Sequence, residues 1–215
     1  MGPADRVILA LDAATSTVVV GIAGPDGAIL SEHKLAGGRG DVIPGMVATL
    51  LEDLSLLPDS VTSVVCGVGP GSFTGIRIAL SFAHGYAFRR GLPLGGVSTL
   101  AAALSHSSLP ADRPRVALLD ALRGEAYVRR LEPGESAGSG ADIRVPLDRL
   151  PEFLTGDPVV VAEGKPGFLS SLPRGWRPLS ETVSAAGILA LRDVAAAPLP
   201  NYLRASAPEE LRQRG

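Results

Sequence analysis

The amino-acid sequence predicts an α/β fold in which mixed β-sheets are flanked by helices. Short apolar segments rich in β-branched residues alternate with longer segments whose apolar residues recur at helical spacing. Over the first hundred residues the predicted order is β-β-β-α-β-α, which is typical of a mixed sheet with helices on its faces. An apolar segment ending in Asp occurs near the start of each half, as ILALD and VALLD. We therefore expect two related subdomains, residues 1–100 and a smaller one of residues 101–215.

The first three strands are predicted at residues 7–11, 17–23 and 28–35. Asp12 ends the first of them, and Gly-Pro-Asp-Gly at 24–27 is a turn signal between the second and the third. Strands joined by such short turns form an antiparallel meander.

A helix is predicted next, with Asp41 as its capping residue, an apolar stripe along it and Pro58 as its end. Residues 61–68 predict a fourth strand, which a glycine-rich turn connects to a second, long apolar helix. The second half predicts strands at 116–120, 125–131 and 159–162 and a helix at 184–197. The segment 132–141 is rich in Gly, Ser and Pro and is expected to be a mobile loop.

Composition limits the classes of function. With 46% hydrophobic and 20% charged residues among 215, the chain is expected to be globular with an ample core. The formal net charge is −2 without a long basic segment, which argues against a large direct contact with nucleic acid. An acidic residue comes too soon for a signal peptide, and no apolar segment approaches the roughly 20 residues of a membrane span. We expect a cytoplasmic protein without membrane contact.

Metal-ligating residues are scarce. Cys66 is the only cysteine and lies in an apolar segment, which predicts a buried, unreactive thiol and excludes an intramolecular disulfide. The three histidines, His33, His84 and His106, lack the i, i+4 spacing that brings two imidazoles to one metal. We therefore assign no metal site and no catalytic residue.

The turn GVGPGSFTGIR matches none of the usual catalytic glycine motifs. A P-loop needs a lysine that is absent here, the dinucleotide fingerprint needs another glycine spacing, and a nucleophile elbow would need glycine where Pro70 stands. Gly69 and Gly71 permit a positive φ or a close backbone approach, and Ser72 or Thr74 can cap the following helix. A tight strand-to-helix turn and an anion site at the helix N-terminus remain alternative interpretations.

The segment DAATST has a similar ambiguity. Asp12 followed by Thr15 and Ser16 is compatible with a phosphate-binding hairpin, and equally with a turn closed by the Asp side chain. Asp120 to Glu125 (DALRGE) repeats the ambiguity in the second half.

Both predicted helices of the first half are apolar over a wider arc than one sheet contact requires. Part of each arc must cover the sheet, and surplus apolar surface indicates a protein partner, for which two helices could supply the usual area of about 800 Å². The candidate interface residues are Val42, Ile43, Met46, Val47, Leu50 and Leu54 on the first helix, and Ile76, Arg77, Leu80 and Ala83 on the second.

Four segments in this order carry a resemblance to a known family: ILALDAATST, GVGPGSFTGIRIAL, DALRGEAYV and PNYLR. The chain resembles the TsaB (YeaZ) family of bacterial tRNA threonylcarbamoyladenosine biosynthesis proteins. GPGSFTG-x-R is the specific element, and the others support it. Many relatives have a histidine at the start of the first helix, where this chain has Arg39-Gly40-Asp41.

The resemblance implies an actin-like ATPase fold of the sugar kinase and Hsp70 type. It also implies a non-catalytic subunit that pairs through the two helices with TsaD, the catalytic threonylcarbamoyltransferase, and is joined by the ATPase TsaE. The glycine turn would then be a hinge that starts the second helix, with Arg77 pairing a carboxylate or bracing the turn. Homodimerisation through the same helices is expected without TsaD, and tRNA is expected to be contacted only indirectly.

Two other functions stay open at this point. The actin-like cleft could hold ATP or ADP near Asp12, Thr15 or the glycine turn, which would fit a small ATPase or kinase. Ser72 is the candidate nucleophile of a glycoprotease-like peptidase, although no His and Asp partners can be identified in the sequence.

Overall fold

Two β-sheets with helices between and around them make up the fold. The structure is a computed structural model that describes residues 6–105, 109–172 and 183–203. His106, Arg204 and the charged tail after Pro208 lie outside the described residues.

The first sheet contains the predicted meander. Strands β1 and β2 pair antiparallel, as do β2 and β3, whereas β4 pairs parallel with both β1 and β5. The sheet is therefore mixed, as predicted, and its β1 is buried along its whole length. In the order β3-β2-β1-β4-β5, the strands are β3 Ile29–Ala36, β2 Thr17–Ala23, β1 Val7–Asp12, β4 Val61–Gly67 and β5 Leu94–Val97.

The helices of the first half are α1 Ile43–Asp53, α2 Phe73–Arg90 and α3 Thr99–Leu104. The prediction that Asp41 caps α1 is wrong. Asp41 lies in a 3-10 turn, and α1 begins without a side-chain cap. Pro44 in its first turn has no N–H that would need an acceptor. Pro58 does not end α1 either: the helix has already ended at Asp53, and Ser55 turns the chain with φ 54°.

The second sheet is also mixed. Strand β7 pairs antiparallel with β6 and β8, and β6 pairs parallel with β9. In the order β8-β7-β6-β9, the strands are β8 Ile143–Pro146, β7 Glu125–Leu131, β6 Arg115–Leu122 and β9 Val159–Glu163. The helix α4 Pro166–Ser171 follows β9.

The last predicted helix is much shorter than expected. Instead of residues 184–197, α5 comprises only Ala185–Leu189. The chain leaves the helix because Ala196 exchanges two backbone hydrogen bonds with Gly96 beside β5, which requires extended backbone. Residues 196–203 then lie along α2, where the His84 ring is 3.4 Å from the carbonyl oxygen of Pro198.

One hydrophobic core joins the two sheets. Helices α3 and α5 lie between them, so residues of β1, β2 and β4 share a cluster with residues of β6, β7 and β9. Helices α1 and α2 cover the opposite face of the first sheet in a second cluster, which includes the fully buried Cys66. Burial raises the pKa of this thiol, in agreement with the predicted unreactive cysteine.

The predicted loop 132–141 connects β7 to β8 and is held by Arg129. The Arg129 guanidinium donates to the carbonyl oxygens of Ala137 and Ser139, and it pairs with the buried carboxylate of Asp142 at 2.6 Å. Among the described residues, no helix has the length and apolar character required to cross a bilayer.

We predict that Gly187→Ala destabilises the protein by about 1–3 kcal/mol, because a Cβ there would lie 2.2 Å from the backbone oxygen of Ala102. The matched control is Gly167→Ala in α4, where an added Cβ meets nothing within 4 Å. Urea unfolding of both variants checks this prediction. Equal stability of the two variants would contradict the close packing of α5 on α3.

Candidate functional site

A cleft of about 960 Å³ lies where the two sheets meet. The carboxyl ends of the parallel pairs β1/β4 and β6/β9 point towards it, the usual position of ligand sites in α/β sheets. The cleft is lined by three turns, by the end of β9 and by residues 201–203, the last residues that the structure describes. These residues are Ala14–Ser16, Gly71–Thr74, Arg77, Leu119–Arg123, Tyr127, Glu163–Lys165 and Asn201–Leu203.

Asp12 is fully buried and does not line this cleft. One carboxylate oxygen accepts the Ala14 amide at 2.6 Å, and the other accepts the Thr99 hydroxyl at 2.7 Å. The Thr99 oxygen in turn accepts the Gly69 amide at 3.1 Å. Burial raises the pKa of Asp12 to about 6, although both hydrogen bonds act in the opposite direction. The geometry is that of the side-chain-closed turn, one of the two interpretations of DAATST.

The glycine turn packs directly on the turn between β1 and β2. Gly69 has φ 96° and Gly71 has φ 154°, and a Cβ on Gly71 would lie 2.1 Å from the Ala14 oxygen. A Cβ on Gly75 would lie 1.9 Å from the Ala13 oxygen. The predicted close backbone approach is therefore confirmed, and its neighbour is the DAATST turn.

Ser72, rather than Thr74, caps α2. Its hydroxyl oxygen accepts the Gly75 amide at 3.2 Å, and its own amide donates to the Ala14 oxygen at 2.7 Å. Two of the amides expected at an anion site are thus bonded to the chain itself. The hydroxyl of a Ser nucleophile would need a neighbouring base, and none of the described cleft-lining residues is a histidine.

Glu163 connects the two halves across the cleft. One of its carboxylate oxygens accepts both the amide and the hydroxyl of Ser16 at 2.6 Å. Thr15 bonds locally: its hydroxyl donates to the Thr17 oxygen at 3.0 Å and accepts the Thr17 amide at 3.2 Å. The sequence analysis missed Glu163, although it ends the apolar segment VVVAE in the same way that Asp12 ends ILALD.

Three cationic residues line the cleft: Arg77 of α2, Arg123 of the turn between β6 and β7, and Lys165. Arg77 lies over the Phe73 ring at 5.2 Å, and Phe73 contacts Tyr202 with ring centroids 4.8 Å apart. Lys165 is exposed at the start of α4. Within the described part of the chain, no group of three or more His, Cys, Asp or Glu is arranged to hold a metal ion.

The helix residues selected as partner contacts need a correction. Six of the ten side chains face the first sheet and are buried in the chain's own core, so they are not available to a partner in this conformation. Val42, Met46 and Leu54 are half-buried, and Arg77 is exposed towards the cleft. The six buried residues are Ile43, Val47, Leu50, Ile76, Leu80 and Ala83.

The outer faces of α1 and α2 each carry a glycine with open space around it. Gly45 and Gly85 are exposed, and a Cβ added at either would meet nothing within 4 Å. Phe88 lies about one helical turn after Gly85 on α2, and its side chain is 91% exposed. Beside them, these faces expose the small Ala48 and Ser81 and the larger Glu52, His84 and Arg89.

Comparison with known proteins gives concordant matches. A family model described as TsaD, tRNA N6-adenosine threonylcarbamoyltransferase, matches residues 40–145. The tRNA threonylcarbamoyladenosine biosynthesis protein TsaB of Escherichia coli is 34% identical over 123 residues, 56% of this chain and 52% of that protein. TsaB of Bacillus subtilis is 29% identical over 122 residues, with the same two coverages. The chain thus spans about half the length of these curated relatives.

A solved structure matches over a larger part of the chain. YeaZ from Pseudomonas aeruginosa superposes with a TM-score of 0.71 and 26% identity, over 92% of this chain and 100% of that one. Together with the two mixed sheets, this match confirms the predicted fold class, the α/β fold of actin-like ATPases.

We predict that Asp12 makes the protein less stable as the pH rises. Because folding raises its pKa from 3.8 to about 6, its contribution is fully present below pH 3.8 and is lost as the pH passes 6. The loss is on the order of 3 kcal/mol. Asp12→Asn keeps an acceptor for Ala14 but cannot ionise, so its stability should not fall between pH 4.5 and 7.5. Urea unfolding of both proteins between pH 4.5 and 7.5 measures the difference, and parallel pH profiles would contradict the buried carboxylate.

Proposed function

The chain belongs to the TsaB/YeaZ family, and from that premise we propose that it is a non-catalytic subunit of tRNA threonylcarbamoyladenosine biosynthesis. Its partner is TsaD, which transfers threonylcarbamoyl to the adenosine beside the anticodon. The ATPase TsaE joins this pair, and tRNA is bound by the partners rather than by this chain. The proposal places the protein in the cytoplasm.

The observation that carries the proposal is the pair of outward-facing helical glycines. Glycine inside a helix costs about 1 kcal/mol relative to alanine, and Gly85 lies well inside the 18-residue α2. Neither Gly45 nor Gly85 has a neighbour in its own chain that a side chain would meet. A glycine on the outer face lets the backbone of a second helix approach closely. Docking of partner helices on α1 and α2 accounts for both residues.

Apolar side chains beside these glycines fit the same use. Phe88 is almost completely exposed, and Met46, Ile78 and Phe82 are half-buried at the edges of the two helices. An exposed phenyl ring gains about 2–3 kcal/mol when a partner covers it. In the absence of TsaD, a second copy of the chain would cover the same face.

A non-catalytic role is consistent with the hydrogen bonds of two polar groups in the turns beside the cleft. The Asp12 carboxylate holds the Ala14 and Thr99 donors, and the Ser72 hydroxyl caps α2. Groups that an ATPase or a hydrolase would direct at its substrate are here bonded to the chain itself.

We predict that Gly85→Gln weakens association with TsaD at least about tenfold, because a long side chain on this face keeps the partner helix at a distance. The same change should raise the stability of the isolated chain by a few tenths of a kcal/mol or more, since glutamine is the better helix former. Isothermal titration with purified TsaD and urea unfolding measure the two effects separately.

The matched control is Gly167→Gln, at an exposed helical glycine of α4 that also has open space around it. It should bind TsaD normally. Leu50→Asp would be uninformative, because Leu50 is 0% exposed and its loss would unfold the chain. Unchanged binding of TsaD by a folded Gly85→Gln variant would show that α2 is not the docking face. Reconstituted tRNA modification without loss of rate when the chain is omitted would overturn the proposed function itself.

A further inference from the structure

Two side chains connect the first sheet to the second at the cleft. The first is Glu163 at the end of β9, where one carboxylate oxygen accepts both the amide and the hydroxyl of Ser16 at 2.6 Å. Ser16 belongs to the turn between β1 and β2, so this contact, the Ser16–Glu163 bridge, spans from one sheet to the other. Both residues line the cleft. Because two donors of one residue meet the same carboxylate oxygen, the bridge fixes the orientation of that turn as well as its distance from β9.

The second connecting side chain is that of Asn201, which also lines the cleft. The backbone amide of Asn201 donates to the Val68 oxygen at 2.8 Å, at the end of β4 in the first sheet. Its side-chain amide donates at 2.6 Å to the carboxylate of Asp142, which precedes β8 of the second sheet. This contact is the Asn201–Asp142 bridge. Asp142 pairs in turn with Arg129 of β7, and both side chains are more than nine-tenths buried, so the bridge ends on a carboxylate that is itself held in place.

Away from the cleft, a layer of two helices lies between the sheets. Helix α3 contacts β6 and β7 of the second sheet, α5 contacts β1, β2 and β4 of the first, and the two helices contact each other. Packed helices can slide or rotate past one another by small amounts, which is one way in which two-lobed proteins change the width of the cleft between their lobes. The shared core alone therefore does not fix the width of the cleft, and the two bridges determine whether it can change.

We propose that the two bridges hold the sheets at one separation, so that the cleft keeps a single width instead of opening and closing. Opening would separate Ser16 from Glu163 and Asn201 from Asp142, which breaks three hydrogen bonds. All three end on carboxylates, and such charge-assisted hydrogen bonds are roughly twice as strong as neutral ones. The inference concerns the motion of the two sheets and does not rest on the proposed function.

The distance between two nitroxide spin labels on the full chain tests the proposal. Ala48→Cys places one label on the exposed side of α1, and Gly167→Cys places the other on α4, where an added Cβ meets nothing within 4 Å. The native Cys66 is fully buried, so only the two introduced thiols are labelled. Double electron–electron resonance, with labelled protein diluted in unlabelled protein, measures the distance within one molecule. We expect one narrow distance distribution, and two separate distances would overturn the proposal.

Variants of the two bridges should allow the cleft to open. Glu163→Ala and Asn201→Ala each delete one bridge, and each should raise the ratio of open to closed molecules about tenfold, the usual effect of losing a charge-assisted hydrogen bond. The double variant should raise this ratio about a hundredfold, because the two bridges are separate contacts. The resonance measurement should then show a broader distribution or a second, longer distance.

The matched control is Arg149→Ala, which deletes an exposed ion pair with Glu152 that lies within the second half and does not cross the cleft. It should keep the narrow distribution. Urea unfolding shows which variants are folded, and Ser16→Ala, which removes only the exposed hydroxyl donor of the first bridge, gives a milder test of the same contact. Unchanged distances in the folded bridge variants, or an equal change in the control, would refute the proposal.

Discussion

The buried carboxylate of Asp12 holds together the two turns on which the rest of the molecule depends. It bonds the backbone of its own turn and, through Thr99, the backbone of the glycine turn. The space around it is so limited that a Cβ on Gly67 would lie 1.6 Å from its oxygen. Burying an ionised carboxylate is unfavourable, and its donors offset only part of this cost. In return, the position and direction of α2 are fixed at its first residue.

From this fixed start, α2 extends along three parts of the molecule: the first sheet, the cleft and the outer surface. Its inner face covers the first sheet, its first turns contribute Phe73 and Arg77 to the cleft, and its outer face exposes Gly85 and Phe88. Asp12 at the end of β1 is buried inside the protein, whereas the cleft walls and the outer faces of α1 and α2 are accessible to other molecules. This separation of roles makes the fold of an ATPase compatible with the proposed docking function.

Local sequence signals predicted much of the fold. The meander and the central strands followed from β-branched apolar segments, and the close approach at the glycine turn followed from its glycines. Strands β5 and β8 were missed because Gly95, Gly96 and Pro146 are weak strand formers. The length of α5 was overestimated because the pairing of Ala196 with Gly96 links residues a hundred positions apart. Periodicity identified the apolar residues of α1 and α2, but it could not show which of them are exposed. Most of the residues predicted to contact a partner face the sheet instead, and the glycines face outwards.

The site was harder to predict than the fold, since its key contacts are long-range. The link between Ser16 and Glu163 spans 147 positions, and the bond from Thr99 to Asp12 spans 87. Neither partner has a sequence motif that indicates the other. The glycine turn could be recognised as a place of close approach, but the sequence alone could not show that its neighbour is the Ala13–Ala14 backbone.

The central claim is that the outer faces of α1 and α2 dock a partner protein. Hydrogen–deuterium exchange of this chain, alone and mixed with TsaD, tests it most directly, because every segment is observed in the same experiment. Docking at these faces predicts slower exchange in peptides covering residues 43–53 and 73–90, with β6 to β9 unchanged. Slower exchange confined to the second sheet, or to neither region, would contradict the claim.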